Sequence, residues 1–428
     1  EFASMIPVAG SAYTFTYTTV GEIMAWIIGW DLILEMLMAG SVISKYWGVY
    51  LNDFMRLMGW NANTNLTFGS FHIDIAPIII VAFFTTLLVF GTKIGARVDG
   101  AMTVLKIAIV FFVVIVGFFY VKASNFTPFI PPSQPASTVE GSSAVTGVMT
   151  QPLWQFATGM TPSVYGVPGI LSGAALVFFA FIGFDVVATA SEETKNPHKN
   201  VPLGIGVGML LIIVMYMLVA VVTTGMVSYA DLAKQDSPSL ATAFELVGAD
   251  WAAKIISFGI VLGLATVVMV LLLGLTRIVF AMSRDGLLPR GLSKTGKHGT
   301  PAALQIVVGA VVALVAAFFD IGVLSDMVNI GTLSAFTLVA ISIPIMRKKR
   351  PDLPRAFKMP GSPWIPILIA VANFWLMLNL SVLTWIRFVV WLVVGFAIYF
   401  GYGYWHARLG KGDLTETLSA ETDKAVNG

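Results

Sequence analysis

The chain has 428 residues, of which 57% are hydrophobic and 11% charged, with a formal net charge of +2 and a mean hydropathy of +0.85. A soluble domain carries about 25% charged residues, so a soluble globular protein is excluded and an integral membrane protein is implied. Cys is absent and the four His (His72, His198, His298, His406) are far apart, which excludes disulfide frameworks, Cys–zinc sites, iron–sulfur clusters and thiol catalysis and argues against a paired-His metal site.

In chain order, residues 1–15 read as the end of a helix whose start is missing, with no charged leader and no cleavage site. Residues 22–51 are long and apolar but carry Glu22, Asp31, Glu35 and Lys45. Uncharged runs then follow at 75–92, 107–121 (continuing a helix begun near Val98), 166–184, 200–230, 255–276, 299–319, 327–346, 359–386 and 388–405. A membrane helix needs about 20 mostly apolar residues. The expectation is an all-α membrane protein with ten full spans and one partial span, its transmembrane domain covering residues 1–409. The runs are too long and too continuously apolar for barrel strands. Two pairs of glycines four apart, Gly204 with Gly208 and Gly259 with Gly263, are expected to allow close helix contact. The GIGVG stretch lies inside a span with no strand before it, so it is not a nucleotide loop.

The longest loop, 122–165, is rich in Pro, Ser, Thr and Gly and is expected to be extracellular, flexible and poorly packed. The polar tail, 410–428, is expected to be disordered and cytoplasmic. Most of the 25 Lys and Arg fall on the side that includes this tail, among them the cluster from Arg347 to Arg350. The positive-inside rule therefore puts the C-terminus in the cytoplasm.

Charges within spans are costly, about 2.5–3.5 kcal/mol each on insertion scales, so each needs a reason. Lys106 lies about nine residues past Arg97 in MTVLKIAIVFFVV. It reads either as a snorkelling or paired structural lysine or as one that gains and loses a proton during a cycle. Asp31 and Glu35 share a helix face at i,i+4, and Glu22 sits at the entrance of that helix. These carboxylates either bond neighbouring helices or, for Glu35, face the interior and tune a substrate cavity. In AALVFFAFIGFDVVATASEETKNPHKNV, aromatic residues crowd Gly183 and Asp185 follows deep in the span. Gly183 is a plausible break point. A broken helix would expose carbonyls and amides at mid-membrane, where they suit a zwitterion. The alternative is a continuous helix with an aromatic packing stripe.

GFDVVATASEETKNPHKNVPLGI, LGLTRIVFAMSRDGLLP, RPDLPRAFKMPGSPWIP and the opening EFASMIPVAGSAYTFTYTTVGEIMAWIIGWDLILE occur in the order found in the amino acid–polyamine–organocation superfamily of transporters, which the chain resembles over nearly its whole length. The opening segment resembles the bacterial cationic amino acid transporter branch. This resemblance implies a leucine-transporter-like bundle of two inverted five-helix repeats, with the first and sixth helices broken around a central site. It implies that the first helix, which holds the substrate carboxylate, is absent here, so the chain as written is not expected to transport. It also implies that Phe179, Ala180, Phe181, Ile182 and Gly183 match the unwound stretch of the sixth helix. The Phe179 ring would stack over substrate, and the carbonyls of Phe179, Ala180 and Ile182 would receive its ammonium. Asp185 matches an acidic position below the site, and Glu22 is grouped with it as an acidic gate residue. Lys106 matches a lysine that replaces a sodium ion in proton-coupled members. Met269 would line the end of the side-chain pocket, its bulk favouring small neutral amino acids, whereas Glu35 and Asp185 would suit a cationic side chain.

The function implied is secondary active amino acid transport by alternating access at the plasma membrane, coupled to protons. The alternatives are an exchanger of the same fold and a membrane sensor that binds an amino acid without transporting it. No nucleophile or metal constellation suggests an enzyme. The expected partners are the amino acid, protons and the bilayer; no cofactor or nucleic acid is implied, and a small membrane subunit is left open.

Overall fold

The computed structural model describes residues 1, 13, 21–60, 64–68, 71–91, 95–138, 147–183, 194, 196, 197–235, 238–296, 300–349, 351, 355 and 357–407. Asp185 and the tail 410–428 lie outside the described residues.

Ten apolar helices build the described bundle. They are α1 (Glu22–Leu57), α2 (Ile75–Phe90), α3 (Gly95–Phe118), α4 (Gly166–Val177) and α5 (Pro197–Met226). The rest are α6 (Asp250–Arg284), α7 (Ala302–Phe318), α8 (Ile321–Lys349), α9 (Trp364–Leu378) and α10 (Val382–Ile398). Six of them are long and apolar enough to cross a membrane, and α2, α4, α7 and α9 are shorter apolar helices. A small antiparallel hairpin, β1 (Asn65–Phe68) with β2 (Phe71–Asp74), precedes α2. The sequence reading contained no strand there.

α1 is the centre of the bundle. Of its most apolar stretch 78% is buried, against 6% for the more apolar α5. α1 packs most extensively on α6 and α8. Its ring stack is built by helical spacing: Trp26 lies 5.6 Å from Trp30, and Trp30 lies 4.4 Å from Trp391 of α10. The Trp30 indole also donates to the Trp391 carbonyl at 2.9 Å. A side chain at Gly395 would overlap the Trp30 ring, so the approach of α10 depends on that glycine.

Two expectations change, and the long loop gains anchors that its composition does not show. The run 359–386 is not one span: α9 stops at Leu378 and α10 starts at Val382. Ser381 caps α10 by accepting the Thr384 amide at 3.2 Å, and Arg387, read as a boundary, lies within that helix. The loop 122–165, most of whose described residues are exposed, is anchored to the bundle by main-chain hydrogen bonds. Lys122 donates its amide to the Gly225 carbonyl at 2.9 Å, Leu153 to Leu380 at 3.0 Å and Val382 to Gln151 at 3.1 Å. Its composition lacks periodicity, yet its main chain finds partners on the ends of α5 and α10, which no composition can reveal. Finally, Gly259 and Gly263 do lie at a close helix contact, but Cβ atoms added at Gly204 and Gly208 would meet nothing within 4 Å. The latter pair sits on α5, whose surface is mostly exposed.

Candidate functional site

α4 does not run through its apolar segment. It tightens into a 3-10 turn at Phe178–Phe181, after which Ile182 is extended and Gly183 has φ 106°. That φ is open to glycine and strained for other residues. A helix end leaves its last carbonyls without intrahelical partners. Two neighbouring helices supply donors: Asn329 of α8 donates from Nδ2 to the Leu176 carbonyl at 3.0 Å, and the Tyr216 hydroxyl of α5 donates to the Ala180 carbonyl. The Phe179 carbonyl accepts the Ile182 amide at 3.2 Å. Each carbonyl oxygen has two lone pairs, so these partners leave further acceptor capacity at the break.

Phe179 and Ile182 pack against the core cluster that contains Met269 of α6 and Ile33, Met36 and Leu37 of α1. Met269 is 8% exposed, so its thioether is a wall rather than a surface group. Phe181 meets the Tyr216 ring edge-on at 5.3 Å, and Phe178 meets Phe336 at 6.2 Å. Ala180 is exposed. Phe179, Ile182, Met269 and α1 thus belong to one extended core, and the turn itself packs mainly on α8.

The acidic residues of α1 separate. Glu22 accepts from the Tyr399 hydroxyl at 2.8 Å at the start of the helix. Asp31 and Glu35 are both fully buried. Asp31 accepts from the Ser334 hydroxyl of α8 at 2.7 Å, which binds α1 to α8.

Lys106 stands apart from the turn. It lines a cavity of about 170 Å³ with Val219 of α5 and Gly259, Gly263 and Val267 of α6; among the described residues, neither Phe179–Gly183 nor Met269 lines it. The aliphatic stem of Lys106 lies over Gly263, where an added Cβ would sit 3.1 Å from Cγ. Val267 of α6 faces this cavity and also packs on the central core.

Asn329 and Tyr216 were not singled out from the sequence. A lone amide within apolar α8 carried a signal, since a buried amide needs partners. Tyr216 carried none, because a tyrosine in an apolar run reads as packing. Among the described residues, no group of three or more His, Asp or Glu could hold a metal ion.

Residues 1–403 match the family described as amino acid permease. The chain is 42% identical to the branched-chain amino acid permease BcaP of Bacillus subtilis (strain 168), covering 96% of this chain and 83% of that protein. It is 37% identical to the methylthioribose transporter of the same organism, again over 96% and 83%. It is 34% identical to the vacuolar cationic amino acid transporter 4 of Arabidopsis thaliana, over 82% of this chain and 55% of that protein. These similar proteins are transporters, not enzymes.

Proposed function

The chain belongs to the amino acid permease family, and on that premise we propose that it is a proton-coupled secondary transporter that moves amino acids across the cell membrane by alternating access. The observation that carries the reading is the broken end of α4 at Phe178–Gly183, packed against the core that holds Met269 and α1. On this reading the carbonyls of Phe179, Ala180 and Ile182 receive the substrate ammonium, the Phe179 ring covers it, and Phe181 and Gly183 complete the turn. Met269 closes the side-chain end of the pocket and favours small or branched neutral side chains. Similarity to a branched-chain permease supports that preference, and similarity to cationic transporters keeps Glu35 and Asp185 as partners for a cationic side chain. Glu22, bonded to Tyr399, serves as an acidic gate group.

The bundle is read as ten full spans in two inverted repeats, with the loop 122–165 outside and the C-terminus in the cytoplasm. The basic last turn of α8, Arg347, Lys348 and Lys349, supports that orientation. Lys106 is assigned the coupling role. Its charged and neutral forms favour different packings of α3 on α6, which shifts the balance between conformations. The test is uptake by reconstituted protein across pH. Lys106→Ala is expected to flatten the pH dependence; an unchanged pH profile would contradict the coupling role.

A further inference from the structure

Asp31 has no part in the mechanism above, yet it is a fully buried carboxyl at the centre of the bundle. The Ser334 hydroxyl of α8 bonds its Oδ2 at 2.7 Å, while its Oδ1 is buried without a partner. Among the described residues Ser334 is the single group that bonds this carboxyl. An ionised carboxylate offers about four acceptor sites. One donor in an apolar core leaves most of them empty, and an unpaired buried charge is costly. A neutral carboxyl avoids that cost and still bonds Ser334, because its own O–H can donate to the serine oxygen. The packing seen here therefore suits the protonated acid.

No nearby cation compensates a charge at this position. On α1, Glu35 lies one turn further on, and Glu22, Lys45, Asp53 and Arg56 lie farther along the helix. α2 and α7 contain no Asp, Glu, Lys or Arg. α6 carries Asp250, Lys254, Arg277 and Arg284, α8 carries Asp326 and its basic last turn, and α10 carries Arg387. Tyr13, which lies against Gly29, donates to Asp285. Among the described residues none of these pairs with Asp31. The bond from Ser334 also has a reach beyond α1. Asn329, five residues earlier on α8, donates to the Leu176 carbonyl at the broken end of α4. A movement of α8 that admits water or a further donor to Asp31 is therefore felt at the turn.

We propose that Asp31 is a second proton-exchanging group of the transport cycle, its neutral form holding α8 on α1 and its charged form favouring a state in which α8 has moved. The proposal rests on the proton-coupled reading above. Asp31 takes its proton from water on one side of the membrane and returns it to water on the other. The two forms shift the balance between conformations, and Asp31 and Lys106 carry one proton each.

The test is steady-state accumulation of radiolabelled L-alanine, L-valine and L-lysine, in turn, by reconstituted protein under an imposed pH difference, with the membrane potential clamped at zero. Steady-state accumulation depends on the number of protons coupled and not on the rate, so a merely structural role for Asp31 leaves it unmoved. Asp31→Asn is nearly isosteric and always neutral. It is expected to accumulate about tenfold less for each pH unit imposed, the loss of one coupled proton. A melting temperature matching the unsubstituted protein certifies it as folded. The infrared band of a protonated carboxylic acid should also be weaker in Asp31→Asn than in the unsubstituted protein. If Asp31→Asn does not fold, Ser334→Ala carries the test: it removes the one donor to the charged form and should move the pH profile of uptake to higher pH. Equal accumulation by Asp31→Asn and the unsubstituted protein would overturn the role of Asp31 and leave Lys106 standing. Coincident infrared spectra, or a pH profile unmoved by Ser334→Ala, would overturn it as well. An unsubstituted protein that accumulates none of the three amino acids would overturn the proton-coupled reading itself, and the role of Asp31 with it.

Discussion

At the scale of single residues, the Ala180 carbonyl has two claims on it: the Tyr216 hydroxyl that it already accepts and the ammonium assigned to it above. Tyr216→Phe removes only the hydroxyl. It is expected to lower stability by about 0.5–1.5 kcal/mol, read as a lower melting temperature in detergent; an unchanged melting temperature would show that the bond does not hold the turn. Met269 sets the other limit of the pocket. Because its side chain is 8% exposed and packed in the central core, Met269→Ser should open space and extend the accepted range towards larger amino acids. Competition profiles in proteoliposomes measure this, and identical profiles for the two proteins would remove Met269 from the pocket.

At the scale of elements, two glycine pairs that look alike in sequence behave differently. Gly259 and Gly263 let α6 approach Ile109 and Lys106 of α3, whereas Gly204 and Gly208 face open space. Gly259→Val is expected to cost about 1–3 kcal/mol through overpacking. Gly204→Ala should be neutral or stabilising, since alanine favours a helix over glycine. Thermal unfolding of the two variants side by side checks the contrast, and equal losses would contradict it. Apolar runs located the helices because their signal is their own length and hydropathy. Which helix is central was only partly legible: the charged residues Asp31 and Glu35 set α1 apart from the more apolar α5, but that α1 is mostly buried and α5 mostly exposed emerges only from the packing. At Gly183 the local sequence offered a break and a continuous aromatic-striped helix alike, and the family resemblance, not the glycine alone, pointed to the break. The donors that reach the break, Asn329 and Tyr216, come from other helices, and nothing local to them points to the turn. The split between α9 and α10 was missed for the opposite reason: the capping residue Ser381 is a local signal, outweighed in the reading by the charge of Arg387.

At the scale of the whole molecule, the bundle has two unlike ends. One carries the basic last turn of α8 and the turn at Arg290–Ser293, and the other is strapped by the loop that runs from Lys122 to the start of α4. The orientation proposed above predicts that a cysteine introduced as Ser293→Cys reacts with a membrane-impermeant thiol reagent in inside-out vesicles and not in intact cells. Reaction in intact cells would invert the topology. The central claim, that the broken end of α4 binds the substrate, is open to the same chemistry because the chain has no native cysteine. Ala180 is exposed at the turn, so the most direct measurement is the alkylation rate of Ala180→Cys with and without saturating amino acid. A substrate-dependent slowing of about tenfold or more, matching occupancy of a site at well above its Kd, is the predicted result. Equal rates with and without every amino acid that the protein binds would place the substrate elsewhere.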